Sequence, residues 1–177
     1  MTISLAIDTS TSRTVVGIVR DGEVVFEKFH EGATDHGRAL SELVGGALAT
    51  QQNIDQVVVG MGPGPFTGLR VGITFARTFA LARQIPVIGV CSLDAIALDQ
   101  SDYIVATDAR RKEIYWARYS GGMRVDGPHV SKPADVPGHI LGLFPDAASL
   151  VKQAAKADVK EPMYLRRPDA VPTAERS

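Results

Sequence analysis

The chain has 177 residues, of which 45% are hydrophobic and 22% charged, and these proportions are ordinary for a globular protein. Nineteen basic and twenty acidic residues give a net charge of −1, which excludes the strongly basic footprint of a protein that grips nucleic acid by itself. The single cysteine, Cys91, excludes an internal disulfide and a multi-cysteine metal site. No apolar run has the length of about 20 residues that a membrane helix needs, and the N-terminus has no basic signal region. We therefore expect a cytoplasmic protein.

The first 60 residues predict a meander of three strands, then a helix and a fourth strand. Residues 3–7 are almost continuously apolar, which is typical of a strand covered on both faces, and Asp21-Gly22 is a strong hairpin signal. Thr34 or Asp35 can cap a helix that extends to about Gln51, because apolar residues recur there at helical spacing. The predicted strands cover residues 3–7, 14–19, 23–29 and 56–60.

A glycine- and proline-rich loop, residues 60–70, follows the fourth strand and opens a helix predicted over 67–83. Such a loop presents backbone N–H groups and a helix N-terminus, which suit a phosphate or carboxylate. It fits neither a Walker loop nor the dinucleotide fingerprint, because it lacks the lysine of the first and the last glycine of the second. A plain strand-to-helix turn therefore stays open as the alternative.

Polar residues near this loop are candidates for a nucleotide- or phosphate-binding site. The candidates are Asp8, Thr9, Ser10, Gly62, Gly64, Thr67, Gly68, Arg70, Asp108 and Arg110. An aspartate in this setting can hold hydrated Mg²⁺, but for Asp8 or Asp108 alone we favour a cap of its own turn.

The pattern of strand, aspartate, turn and returning strand occurs twice. Residues 103–108 form a strand that ends in Asp108, as residues 3–8 end in Asp8, and residues 113–119 return after a basic turn. A strand over 86–90, a short helix from Ser92 to Leu98, a strand over 123–130 and a helix over 146–157 complete the prediction. The order predicts an α/β fold of two lobes, residues 1–100 and 101–177, each a mixed sheet flanked by helices.

Small residues recur every four positions on the two helices of the first half, and such stripes allow helices to approach closely. The second helix is also apolar around its circumference and needs cover on every side. We predict a partner interface, with cover by the first helix alone as the alternative. The interface residues are Gly37, Ser41, Gly45, Ala49, Gly72, Ile73, Ala76, Phe79 and Ala80.

Catalytic motifs are missing from the sequence. The four histidines form no metal-ligand pattern, and no serine lies in a Gly-x-Ser-x-Gly elbow. Arg110-Arg111-Lys112 is interpreted as a solvated basic turn, which alone would bind RNA weakly but can contribute to a larger phosphate-binding surface. We therefore predict no catalytic residue and no metal site.

Five segments, in order across residues 3–167, resemble the bacterial TsaB family. They are residues 5–10, 62–70, 86–93, 108–115 and 162–166, and Thr-Gly-Leu-Arg after the glycine loop is specific in this setting. The resemblance implies the actin-like ATPase fold of two ribonuclease-H-like lobes. It also implies a non-catalytic subunit that activates TsaD, which transfers a threonylcarbamoyl group to the adenosine next to the anticodon of tRNAs reading codons that begin with A.

The same resemblance implies TsaD and the ATPase TsaE as partners, pairing through the helices of the first lobe, and a homodimer when TsaD is absent. It implies tRNA contact through the complex, no cofactor in the isolated chain, and ATP or ADP at the interface of the complex. A stand-alone ATPase or kinase of the same fold is the alternative, and a peptidase is a weaker one.

Two features depart from the family pattern. Pro65 replaces a serine that many relatives have, which removes a hydroxyl and an N–H from the loop. Between about Gly138 and Phe144 the family usually has several tens more residues, so we expect a reduced second lobe or a segment missing from this numbering.

Overall fold

The chain forms two mixed β-sheets and three α-helices in a computed structural model that describes residues 1–32, 34–156 and 158–166. The first-sheet strands are β1 (Ile3–Asp8), β2 (Arg13–Arg20), β3 (Glu23–Glu31), β4 (Gln56–Gly60) and β5 (Val87–Val90). The second-sheet strands are β6 (Asp102–Asp108), β7 (Ile114–Ser120), β8 (Met123–Ser131) and β9 (His139–Ile140). The helices are α1 (His36–Thr50), α2 (Phe66–Arg83) and α3 (Ala147–Ala154).

The first sheet has the strand order β3-β2-β1-β4-β5, in which β1 is antiparallel to β2 and parallel to β4. Side chains alternate along β1, so that Ile3, Leu5 and Ile7 join the core beneath α1 and α2, while Ala6 joins the core beneath α3. This two-sided cover confirms the prediction from the continuous apolar run.

The second sheet has the order β8-β7-β6-β9, with β6 antiparallel to β7 and parallel to β9. It repeats the order of the first four strands of the first sheet, which confirms the predicted α/β fold with two mixed sheets. The expected helices beside the second sheet are not observed, because its cores contain no α-helical residue among those described. The lobes differ in their helices: α1 connects β3 to β4, whereas residues 132–138, which connect β8 to β9, contain a 3₁₀ turn at Pro133–Asp135. The boundary at residue 100 stays a prediction.

Two predicted elements differ from those observed. The segment from Ser92 to Leu98 is not an α-helix but a 3₁₀ turn, Ser92–Ala95, because the Ser92 hydroxyl donates to Asp8 rather than capping a helix. The last helix ends at Ala154 rather than at residue 157, and it crosses back to pack on the first sheet. Within the described residues, no helix is long and apolar enough to cross a membrane.

Candidate functional site

A buried polar cluster lies where β1 ends. The carboxylate of Asp8 is fully buried and accepts three hydrogen bonds. The Ser10 N–H and hydroxyl donate to Oδ1 at 2.8 and 2.7 Å, and the Ser92 hydroxyl donates to Oδ2 at 2.6 Å. Ser92 in turn accepts from the Gly62 N–H at 3.2 Å. Both carboxylate oxygens thus connect the turn after β1, residues 9–12 and called the β1 turn below, to the glycine loop and to the end of β5.

The glycine loop is pressed against the β1 turn. A Cβ on Gly60 would lie 1.8 Å from Asp8 Oδ2, and one on Gly64 would lie 2.4 Å from the Ser10 carbonyl oxygen. Real Cβ atoms do not approach other atoms so closely, so these glycines are required by contact with the turn. In this structure the space between the loop and the turn is filled by protein atoms.

Thr9 connects the β1 turn to α2 by two hydrogen bonds. Its hydroxyl donates to the Gly68 carbonyl oxygen at 2.7 Å and accepts from the Gly72 N–H at 3.2 Å, so it lies between two groups that pair in a regular helix. A Cβ on Gly72 would lie 2.4 Å from this hydroxyl oxygen. Part of the small-residue stripe on α2 therefore makes room for Thr9.

The electrostatics of the cluster follow from its burial. Burial raises the pKa of Asp8, and the hydrogen bonds from Ser92 and Ser10 act in the opposite direction without reversing the shift. A carboxylate that is enclosed in this way is the cap of its own turn, as one of the two interpretations expected. Among the described residues, no three His, Cys, Asp or Glu side chains are grouped to hold a metal ion.

A second group of candidates lines a cleft between the two lobes. The cleft has a volume of about 280 Å³, and its lining residues are Thr11, Ser12, Pro65, Thr107, Asp108, Arg110, Leu141, Gly142, Leu143 and Phe144. Asp108 is exposed, and its Oδ1 accepts from the Arg110 N–H at 3.0 Å. The Thr107 hydroxyl is buried and lacks a hydrogen-bond partner among the described residues.

The third group lies outside the cleft. Thr67 and Arg70 are exposed at the start of α2, and the Arg70 guanidinium lies 4.5 Å from the centroid of the Phe66 ring. Both line an open groove between α1 and α2 with a volume of about 610 Å³. The other lining residues are Gly37, Leu40, Phe66, Val71, Thr74, Phe75 and Thr78. The ten candidates thus occupy a buried cluster, a cleft and a groove rather than one pocket.

Of the residues predicted for a partner interface, those on α1 are exposed and most of those on α2 are buried. Gly37, Ser41, Gly45 and Ala49 are all exposed on α1, and a Cβ on Gly37 or Gly45 would meet no atom within 4 Å. The prediction is wrong for four residues of α2. Gly72 is buried against Thr9, and the other three, Ile73, Ala76 and Ala80, are buried in the core beneath the helix. The accessible face of α2 is instead the groove face, beside which Phe79 is partly buried and stacks on Phe75.

Two contacts of the site are not foreseen from the sequence. Ser92 completes the Asp8 cluster from 84 positions away, and no local pattern marks it. Asp94, just after β5, accepts from the Tyr119 hydroxyl at 2.8 Å and pairs with Arg124 at 3.0 Å, which ties the first lobe to the second sheet. The signal for Asp94 is a polar residue in an otherwise apolar stretch.

Comparisons with known proteins agree with this architecture. The model of the family TsaD: tRNA N6-adenosine threonylcarbamoyltransferase matches residues 31–171. An uncharacterized protein of Mycobacterium bovis is 45% identical over 199 residues, which cover 96% of this chain and 94% of that protein. The Escherichia coli tRNA threonylcarbamoyladenosine biosynthesis protein TsaB is 35% identical over 125 residues, 65% of this chain and 54% of TsaB.

The fold also agrees with a solved structure. YeaZ from Pseudomonas aeruginosa superposes with a TM-score of 0.73 at 27% identity, covering 88% of this chain and 91% of YeaZ. The aligned part spans about half of the E. coli TsaB relative, whereas the family model spans most of this chain. TsaB proteins are among the relatives of this chain. The chain belongs to the family TsaD, tRNA N6-adenosine threonylcarbamoyltransferase.

Proposed function

We propose that this chain is a non-catalytic scaffold and activator subunit that TsaD requires to transfer a threonylcarbamoyl group to the adenosine next to the anticodon of tRNAs reading codons that begin with A. Its partners in this proposal are TsaD and the ATPase TsaE, and its location is the cytoplasm. Family membership and the name of the E. coli relative support the reaction, and the surface of α1 and α2 supports the role within it.

The observation that carries the scaffold role is the exposed face of the α1–α2 pair. Four small residues, Gly37, Ser41, Gly45 and Ala49, leave the α1 backbone open, and the adjacent groove is lined by apolar side chains such as Phe66 and Phe75. A surface that combines a bare helix backbone with an apolar groove accepts another helix at close range. We propose that the partner is TsaD, and that a second copy occupies the same face when TsaD is absent.

The polar chemistry of the chain supports a non-catalytic role. Asp8, the acid best placed to hold a cation beside the glycine loop, is fully buried and accepts hydrogen bonds at both oxygens. A peptidase would need an activated nucleophile or a bound metal. The thiol of Cys91 is buried, and burial raises its pKa to about 12, so it is a poor nucleophile.

We propose that nucleotide binds at the junction with TsaD rather than within this chain. The glycine loop is packed against the turn after β1, where a Cβ on Gly64 would lie 2.4 Å from the Ser10 carbonyl oxygen, so the space between loop and turn is filled by protein atoms rather than open to a phosphate. Thr67 and Arg70 are exposed at the N-terminus of α2 and line the groove, so they can contact phosphate held between the two proteins. Calorimetry of the isolated chain with ATP should show no tight binding, and tight binding would favour the stand-alone ATPase or kinase.

Reconstitution of the reaction tests the proposal. Threonylcarbamoylation of tRNA by the cognate TsaD and TsaE should require this chain, and product formed equally well without it would refute the activator role. Ala49→Glu, on the exposed face of α1, should abolish both complex formation and stimulation because it buries an unpaired charge at the interface. Ala134→Glu places the same charge on an exposed position of the second lobe and should change neither.

A further inference from the structure

The turn between β6 and β7 has an unusual backbone. Arg110, Arg111 and Lys112 are consecutive and all left-handed, with φ values of 60°, 53° and 62°. The turn is closed at its base by hydrogen bonds from the Ala109 N–H to the Glu113 carbonyl oxygen at 2.9 Å and from the Glu113 N–H to the Arg110 carbonyl oxygen at 3.0 Å. The left-handed region is unfavourable for residues that carry a Cβ, so the three side chains occupy positions for which glycine is better suited.

Two other hairpins of the chain have glycine or aspartate at their left-handed positions. The β2–β3 hairpin uses Asp21 and Gly22 at its positive-φ positions, and the β7–β8 hairpin uses Gly121 and Gly122. These residue types suit left-handed backbone. The β6–β7 turn has three basic residues at such positions. Backbone strain in non-glycine residues is concentrated at functional sites, where the side chain takes part in binding or catalysis.

The three basic residues of the turn are exposed at the surface. Arg110, Arg111 and Lys112 are all solvent-exposed, and Ala109 anchors the turn in the core. The nearby carboxylate of Glu113 is paired with Arg166, and that of Asp108 accepts the Arg110 N–H. The turn therefore places three basic residues at consecutive exposed positions in a chain whose net charge is −1.

The field of the turn also reaches the first lobe. Burial, and then the charge of Arg110, lower the pKa of His36 at the start of α1. Arg110 lines the cleft between the lobes, whereas Arg111 and Lys112 follow it as exposed residues outside that lining, so the three charges are spread along the turn. That arrangement suits a row of phosphates along a polymer better than a single anion.

We propose that the β6–β7 turn, through Arg110, Arg111 and Lys112, contacts the phosphate backbone of the RNA substrate in the assembled complex. The contact rests on the proposed function and extends it, since it gives this chain a direct part in holding the RNA. The proposed contact is with phosphates, which position the RNA and carry no sequence information.

Binding of tRNA to the complex of this chain with TsaD tests the contact. Arg110→Gln/Lys112→Gln should weaken tRNA binding by about tenfold near 0.1 M salt and reduce the salt dependence of log K by about 1.4 to 1.8, since each lost phosphate contact contributes about 0.7 to 0.9. The matched control, Lys152→Gln/Lys156→Gln, removes the same charge from exposed positions in and beside α3 and should leave both quantities unchanged.

The outcomes separate this contact from the proposed function. If the wild-type chain stimulates the reaction while the turn variant binds tRNA with unchanged affinity and salt dependence, the RNA contact is wrong and the activator role stands. If the variant instead loses affinity for TsaD itself, the turn contacts an acidic protein surface and the RNA contact is again wrong. If the wild-type chain does not stimulate TsaD, the proposed function has failed.

A glycine variant separates charge from folding. Lys112→Gly relieves a left-handed residue and removes one cation, so we expect an equal or higher unfolding temperature together with weaker tRNA binding. Weaker binding that accompanies a lowered unfolding temperature would mean that the lysine has a structural role, and this would overturn the argument from strain.

Discussion

The contact between Thr9 and α2 allows a sharp test of the site geometry. Gly72→Ala would place a Cβ 2.4 Å from Thr9 Oγ1 and 3.2 Å from Thr9 Cγ2, about 1 Å closer to the oxygen than ordinary contact. Helix propensity alone would favour alanine by about 1 kcal/mol. Overpacking costs about 1–3 kcal/mol and the disturbed hydrogen bond of Thr9 about 1 kcal/mol more, so the net effect should be a loss of about 1–3 kcal/mol.

The matched substitution should have the opposite sign. Gly45→Ala lies on the exposed face of α1, where a Cβ meets no atom within 4 Å, and it should stabilise the protein by about 0.5–1 kcal/mol. Urea unfolding followed by circular dichroism measures both effects from the shift in midpoint at constant slope. The two glycines differ in what surrounds them and not in helix type, so the sign depends on local contact alone.

A double-mutant cycle identifies the cause. Thr9→Ala should cost about 1–2 kcal/mol, because one hydroxyl and one methyl are lost but the direct bond between the Gly68 carbonyl and the Gly72 N–H can form again. Thr9→Ala/Gly72→Ala should be about as stable as Thr9→Ala alone, which gives a favourable coupling of about 1–3 kcal/mol. Additive effects, or a stabilising Gly72→Ala, would refute the packing of α2 on the β1 turn.

Three further predictions follow from burial and charge. Burial raises the pKa of Asp8, so the folded state keeps this proton at pH values where the unfolded chain has lost it. The stability from this group is therefore fully present below the unfolded pKa and declines as pH rises through the folded pKa. Asp8→Asn should gain stability relative to wild type as pH rises, and parallel curves of stability against pH would contradict the shift. The Cys91 thiol, with a pKa raised to about 12, should react with a thiol reagent at the rate of unfolding at about pH 8, and labelling of native protein within minutes would show that it is accessible. Asp94→Ala should cost about 1–3 kcal/mol, since it leaves the Tyr119 hydroxyl and the partly buried Arg124 without their shared acceptor; an unchanged urea midpoint would mean that this link between the lobes adds no stability.

The sequence predicted the elements whose signals are local. The apolar run of β1 and the Asp21-Gly22 turn each indicated the observed structure, because alternation of side chains and left-handed turn residues depend on neighbours in the chain. The contact of Ser92 with Asp8 could not be predicted in this way, since it forms only when β5 is placed beside β4.

Periodicity in the sequence does not predict which side of α2 packs on the sheet. Small residues mark one stripe of the helix, but α2 is apolar around its circumference, so the pattern does not say whether that stripe faces the sheet or a partner. The decision depends on Thr9, whose hydroxyl needs the space that Gly68 and Gly72 leave. On α1 the same kind of stripe is exposed, because the larger residues Leu40 and Val44 face the sheet.

The two lobes differ in their helices, and within the described residues only the first lobe carries a pair of α-helices packed together on its sheet. In the first lobe α1 follows the third strand and α2 follows the fourth, and the pair packs side by side on the sheet. In the second lobe residues 132–138 replace the first of these helices, and α3, which follows β9, packs on the first sheet instead. The alignment with the M. bovis protein runs over 199 residues while covering 96% of this chain, so that relative has residues with no counterpart here.

The same exchange fixes the geometry of the first lobe. Ala147 and Leu150 of α3 are fully buried against the face of the first sheet opposite α1 and α2, and the Glu27 carboxylate of β3 accepts from the Ala147 N–H. With both faces of that sheet covered, the α1–α2 pair rests on a fully packed support. If a partner helix docks on α1 as proposed, this support would hold the exposed backbone of α1 in place beforehand and so lower the entropic cost of binding. In the proposed scaffold role, the docking residues all lie in the first half of the chain, but the support beneath them is completed by the second half.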